Sequence, residues 1–154
     1  MMPNPIEFSF KEKLDAIIGG DTHSYCFQCG ACVSDCPAAR YSAHFNPRLI
    51  LLQAIHGRYQ ELIKENSVIW ECTNCFNCYE RCPQDVRPVE VIMALKNLAK
   101  QAHTSPPKVD QMVNAVLETG RTVVVTRTTQ KIRAGLGLAP VKDAPVNELK
   151  QILS

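Results

Sequence analysis

The sequence predicts a mainly helical chain folded around two metal-binding segments. Three observations carry this expectation. All eight cysteines fall in two short runs of identical spacing. The stretches around those runs carry helix start and stop signals. Strand-like character is confined to two short stretches with few candidate partners. At 154 residues the chain is most simply one domain, large enough to build a core around something bulky.

In chain order, IEFSF at 6–10 alternates as a strand would, and KEKLDAIIGG suggests a short helix closed by Gly19 and Gly20. The first cysteine run, CFQCGACVSDCP, covers 26–37. NPRLILLQAIHG at 46–57 has Asn46 to cap a helix, Pro47 at its first position and Gly57 to end it. The polar stretch GRYQELIKENS leads to the second run, CTNCFNCYERCP, at 72–83. Pro88 can start a helix reaching about His103, with Val89, Ile92, Met93, Ala99 and Ala102 near one face, until SPP at 105–107 breaks it. Residues 108–119 place Val109, Met112, Val113, Val116 and Leu117 at helical spacing before Gly120. RTVVVT at 121–126 is β-branched and reads as extended, and the last 25 or so residues as a loose tail with short helices. The expected division is an N-terminal segment at 1–20, a cluster-bearing core at 21–104 and a C-terminal extension of helices and extended segments at 105–154.

The two runs match at Cys26/Cys72, Cys29/Cys75, Cys32/Cys78, Cys36/Cys82 and Pro37/Pro83, every pair 46 positions apart. Cysteines at i, i+3 and i+6 let one tight loop wrap three corners of a four-iron cube, and the fourth thiolate must come from elsewhere. In C-x2-C-x2-C-x3-C-P runs the last cysteine serves the other cluster when two are present. The expected ligands are therefore Cys26, Cys29, Cys32 and Cys82 for one [4Fe-4S] cluster, and Cys72, Cys75, Cys78 and Cys36 for the other. Zinc fits less well, since its sites use two C-x2-C pairs per ion. Disulfides would require an oxidising compartment.

No basic segment followed by an apolar one opens the chain, and the longest apolar run, LILLQAI, is far short of a membrane span. A cytoplasmic location is expected. The net charge of +2 counts thiols as neutral, and with two cores of about +2 on eight thiolates it becomes about −2. That balance favours neither nucleic acid nor an anionic membrane surface. Catalytic side chains are not expected. His23, His44, His56 and His103 are scattered; His23 reads as a surface residue more readily than as a donor to a cluster sulfur. GLG at 135–137 is too short for a dinucleotide loop. Arg40, Arg81 and Arg87 read as solvated charges, and Phe27 and Phe76 as screens against water. The stripe at 109–117 reads as core before docking surface.

CFQCGACVSDCP and CTNCFNCYERCP in a short helical chain resemble the α-helical ferredoxin fold. With PVEVIMALKNLA after the second run and LETGRTVVVT…GLGL in the tail, the chain is similar to the C-type subunits of heterodisulfide reductase over about residues 20–138. The resemblance implies a two-cluster relay within an oxidoreductase complex, with no complete active site of its own. It implies electrons arriving from an A-type subunit that holds flavin and iron–sulfur clusters and is itself attached to a hydrogenase or a formate dehydrogenase. They would leave for a B-type subunit that cleaves the coenzyme M–coenzyme B heterodisulfide in methanogenesis. Sulfur-oxidising complexes carry similar subunits. The alternatives are an iron–sulfur subunit of another dehydrogenase, a free ferredoxin-like carrier or a zinc-stabilised interaction module.

Overall fold

The computed structural model describes residues 6–142 and 144–153. Although the length alone suggests one domain, the chain divides between Ser105 and Pro106 into two compact units.

Residues 6–9 make a turn, not the strand that their alternation suggests, and Phe10 opens helix α1, Phe10–Ile18. Glu7 holds this turn. Its backbone N–H donates to Gly57 O at 3.1 Å, and its carboxylate accepts from Lys13 Nζ and Tyr59 OH, both at 2.7 Å. Phe10 stacks on Tyr59 with ring centroids 3.7 Å apart. Gly57 is required there: its φ is +68°, and a Cβ would come within 2.2 Å of Glu7 O. The expected stop of α1 is present, because left-handed Gly19 lets the N–H groups of Gly19 and Gly20 both donate to Asp15 O.

A 3-10 turn at Thr22–Tyr25 leads into α2, Ala31–Ser34, then α3, Pro37–Tyr41, and α4, Pro47–Ile55. The start of α4 is as expected, with the Asn46 side chain accepting from Leu49 N at 3.1 Å and Pro47 leading the helix. The polar stretch that follows is not featureless. It forms a 3-10 turn at Tyr59–Glu61 and buries Leu62. A further 3-10 turn at Val68–Glu71 precedes α5, Asn77–Glu80, and then α6, Pro88–Gln101.

The buried face of α6 is broader than a single stripe. Val89, Ile92 and Ala99 are buried as expected, but so are Val91, Ala94 and Leu95, while Met93 and Ala102 face outward. The reason is that α6 packs against both α1 and α4, so two flanks are covered. Phe10 and Leu14 from α1 and Ile50, Leu51 and Ala54 from α4 complete this centre. Each large apolar side chain buried there contributes about 1.5–3 kcal/mol.

The second unit holds α7, Pro107–Thr119, α8, Arg127–Gly135, and α9, Val146–Leu153, with α7 packed on α9. Gly120 ends α7 in the left-handed region, and Thr126 caps α8 by accepting from Thr129 N at 3.2 Å. Residues 121–126 form no strand, and among the described residues there is none anywhere. A lone β-branched run has no ladder to join, and Val123 and Val124 stand exposed. The 109–117 stripe is not core: no residue of α7 is buried. No helix among the described residues is long and apolar enough to cross a membrane.

Candidate metal centres

Residues 22–36 and 68–82 follow the same local path. Each has a 3-10 turn, an extended cysteine, a loop and a one-turn helix, in register at the 46-residue offset. Cys26 has φ −65° and ψ 117°, and Cys72 has φ −65° and ψ 121°. Both loops turn left-handed at the same two places: Gln28 and Asn74 (φ 55° and 52°), then Gly30 and Phe76 (φ 85° and 63°). Alternating the sign of φ coils the backbone around a concave face. Three of these four residues are not glycine, and each L-residue held there stores roughly 1–2 kcal/mol of strain.

The two paths part after the proline. Beyond Pro37 the chain continues into α3, and Arg40 N donates to Cys36 O at 3.1 Å. Beyond Pro83 it turns, and Val86 N donates to Cys82 Sγ at 3.3 Å instead.

Each loop borders a cavity that takes its fourth cysteine from the other run. Cys26, Cys29 and Cys32 share one with Cys82. Cys72, Cys75 and Cys78 share the other with Cys36. The crossing is fixed where α2 meets α5. There Arg81 Nε lies 2.7 Å from Asp35 Oδ2, and Asn77 Nδ2 donates to Asp35 O at 3.1 Å. Leu51, Val86 and Pro88 wall the first cavity, and Phe45, Val89 and Ile92 the second.

The donor set fits a cluster. All eight thiols are free. Burial, then the neighbouring Cys26 thiol, pushes Cys32 up to about 11, and burial, then Cys72, pushes Cys78 up to about 12. Such dry thiols take up thiolate charge when a cationic core compensates it. The sulfurs border a space rather than meeting at a point: among the described residues no three His, Cys, Asp or Glu side chains gather closely enough for a single ion.

Polar groups that motif reading does not single out complete both rims. The backbone N and the side-chain Nε2 of Gln28 both donate to Cys26 Sγ, at 3.4 and 3.2 Å. Arg48 Nη1 donates to Gln28 O at 3.4 Å. On the other side Lys96 Nζ donates to Cys72 O at 2.9 Å and Asn74 Oδ1 at 3.2 Å, 5.8 Å above the Trp70 ring. Arg48 and Lys96 lie on helices outside the runs, so only their shared basic character and the fold connect them to the cysteines.

The remaining candidates divide. Phe27 and Phe76 line the two cavities but are 71 % and 43 % exposed, so neither closes its site to water. His23 is not at the surface. It is fully buried, with Nε2 3.0 Å from Asp15 Oδ1 but without an aligned hydrogen bond. Burial holds its pKa below the usual histidine value, against the opposing pull of Asp15. Arg87 pairs with Asp85 at 3.2 Å and lies 5.2 Å above the Tyr79 ring. Arg40, His44, His56 and His103 are exposed and bring no further ligand to either cavity.

Comparison with known proteins gives this geometry its context. Residues 22–86 match the family model of the 4Fe-4S dicluster domain. The C subunit of the H2:CoB-CoM heterodisulfide,ferredoxin reductase of Methanothermobacter thermautotrophicus is 36 % identical over 133 residues, covering 86 % of this chain and 70 % of that protein. The chain belongs to the C-subunit family of heterodisulfide reductases. A second member, the C subunit of the ferredoxin:CoB-CoM heterodisulfide reductase of Methanosarcina mazei, is 31 % identical over 83 % of this chain and 81 % of its own. The C2 subunit of the H2/formate:CoB-CoM heterodisulfide,ferredoxin reductase of Methanococcus maripaludis is 36 % identical over 82 % of this chain and 66 % of its own. As a heterodisulfide reductase protein of the C type, it is an iron–sulfur electron-transfer subunit of an oxidoreductase complex and carries two [4Fe-4S] clusters.

Proposed function

We propose that this chain conducts electrons inside a cytoplasmic heterodisulfide reductase complex. It would stand between an A-type subunit, which holds flavin and iron–sulfur clusters, and a B-type subunit, which reduces the coenzyme M–coenzyme B disulfide. A hydrogenase or formate dehydrogenase would be attached through the flavin-bearing partner. The observation that carries this reading is the pair of cavities, each uniting three cysteines of one run with the fourth of the other. In this assignment Cys26, Cys29, Cys32 and Cys82 hold one cluster, and Cys72, Cys75, Cys78 and Cys36 the other. Each [4Fe-4S] group supplies one-electron uptake and release at a potential set by its surroundings. The chain does the rest. The left-handed loops present the thiols, and α4 and α6 wall them with apolar side chains. Arg48 and Lys96 set positive charge beside the loops.

Residues 105–154 have a different task in this reading, docking onto a partner protein of the complex. Support comes from α7, whose Val109, Met112, Val113, Val116 and Leu117 border an open apolar groove in the second unit. An apolar face left open on a small unit is suited to cover by another protein.

Anaerobic purification from native extract, with mass-spectrometric identification of the companions, tests the proposal. Both the flavin-bearing and the disulfide-reducing proteins should accompany the chain. Migration as a lone monomer with two intact clusters would replace this reading by that of a free ferredoxin-like carrier.

A further inference from the structure

We propose that the two cluster sites are electrically unequal, and that Gln28, with the turn after Pro83, makes the Cys26/Cys29/Cys32/Cys82 site the one of higher reduction potential. The inference rests on the crossed ligation proposed above. It arises from a comparison the protein makes with itself, because the two loops superpose residue for residue in local structure until single differences appear.

The first difference is one methylene long. Gln28 and Asn74 occupy equivalent places with nearly equal φ, 55° and 52°. The longer Gln28 side chain reaches back, and its Nε2 donates to Cys26 Sγ at 3.2 Å beside the Gln28 backbone N–H at 3.4 Å. Asn74 turns the other way, and its Oδ1 accepts from Lys96. The second difference lies after the prolines. The helix after Pro37 commits Arg40 N to Cys36 O, whereas the turn after Pro83 frees Val86 N for Cys82 Sγ at 3.3 Å.

The basic side chains bring no donor to a sulfur: Arg48 bonds Gln28 O, and Lys96 bonds Cys72 O and Asn74 Oδ1, its charge acting on Cys72 and opposing the difference in part. One further amide acts on a thiol in each: Cys32's own in the first cavity, and Val89's on Cys78 in the second. What is left over is three N–H···S bonds on the Cys26 and Cys82 sulfurs with no counterpart on Cys72 or Cys36 among the described residues. Reduction puts added negative charge partly on the thiolate sulfurs, so donors aimed at them stabilise the reduced form and raise the potential.

The test uses the complete chain, loaded anaerobically, with iron counted on every sample and both clusters followed by electron paramagnetic resonance during a potentiometric titration. Gln28→Asn shortens the amide, suits the left-handed backbone, and copies the Asn74 loop. It should lower the higher midpoint alone, by up to about tenfold in the equilibrium between the sites, which is 59 mV for one electron. Movement of the lower midpoint, or of neither, overturns the proposal. If Gln28→Asn fails to retain its iron, the reciprocal Asn74→Gln decides: the lower midpoint should rise, and an unchanged one overturns the proposal. Cys82→Ser separates this inference from the ligation it rests on. Crossed ligation requires Cys82→Ser and Gln28→Asn to alter the same signal; alteration of different signals would refute the crossing while leaving Gln28's influence intact.

Discussion

Asp35 and Arg81 occupy the same position in the two halves of the repeat, and they are bonded to each other, Arg81 Nε to Asp35 Oδ2 at 2.7 Å. For equivalent residues to meet, the approximate two-fold relation between the halves must pass between them. The crossing of α2 and α5 therefore lies on that axis, at the solvent-facing edge of the cluster-bearing unit. Asn77, donating to Asp35 O, adds a neutral bond at the same crossing.

This pair is exposed, so its energetic role is modest. A double-mutant cycle on Asp35→Asn and Arg81→Gln in the loaded chain should give a coupling of about 0.2–1 kcal/mol, decreasing as salt is added. A coupling several times larger would mean that the pair, and not the ligand exchange, joins the halves.

Crossed ligation itself is tested on the cysteines. Iron and sulfide should each number about eight per chain in anaerobic preparations. Cys36→Ser should disturb the resonance of the cluster bound by Cys72, Cys75 and Cys78, and leave that of its twin. Damage confined to the cluster bound by Cys26, Cys29 and Cys32 would show that each run ligates its own cluster. Stoichiometric zinc after anaerobic reconstitution with iron would remove the clusters altogether.

Two glycines should respond unequally to alanine. At Gly30, φ is +85° and a Cβ would meet no protein atom within 4 Å, so the cost of Gly30→Ala to the protein fold itself is the left-handed backbone term, about 1–2 kcal/mol. Because Gly30 also lines the Cys26/Cys29/Cys32/Cys82 cavity, midpoints are compared on samples of equal iron content. At Gly57 the same substitution adds a clash with Glu7 O at 2.2 Å and must displace the turn at residues 6–9. Urea unfolding midpoints should place Gly57→Ala clearly below Gly30→Ala, and the reverse order would contradict the packing of Glu7 over Gly57.

His23 gives a dependence on acid. Its pKa in the folded chain lies below the ordinary 6.5, chiefly through burial, so the folded state favours the neutral ring. That contribution is complete above about pH 6.5 and is lost as the pH falls below it, because the unfolded chain then binds the proton more readily. Thermal unfolding followed by circular dichroism should show the wild-type chain losing stability between about pH 7 and pH 5 more steeply than His23→Asn. Parallel profiles would mean that the ring carries its charge inside the fold.

Much of the site was legible because metal ligation writes itself into spacing: Cys26 to Cys36 and Cys72 to Cys82 announce both loops and propose which thiols are exchanged. Helix ends were equally open to reading where a single residue enforces them, as Asn46, Pro47, Gly19 and Gly120 do. The failures have a common cause. IEFSF alternates as a strand would, yet Phe8 points out and Phe10 in, and only contact with Gly57 and Tyr59 reveals the turn. His23 is buried beside Asp15, eight positions away on another element. Gln28, Arg48 and Lys96 carry no motif, since their role depends on which way a side chain turns once the loops have formed.

The interlacing of the two runs also bears on how the protein is made. Neither cavity possesses all four of its thiols while the ribosome is still translating the first run; one waits for Cys78 and the other for Cys82. If the proposed crossed ligation holds, the earlier cysteines must therefore stay reduced and unclaimed through the synthesis of some fifty residues.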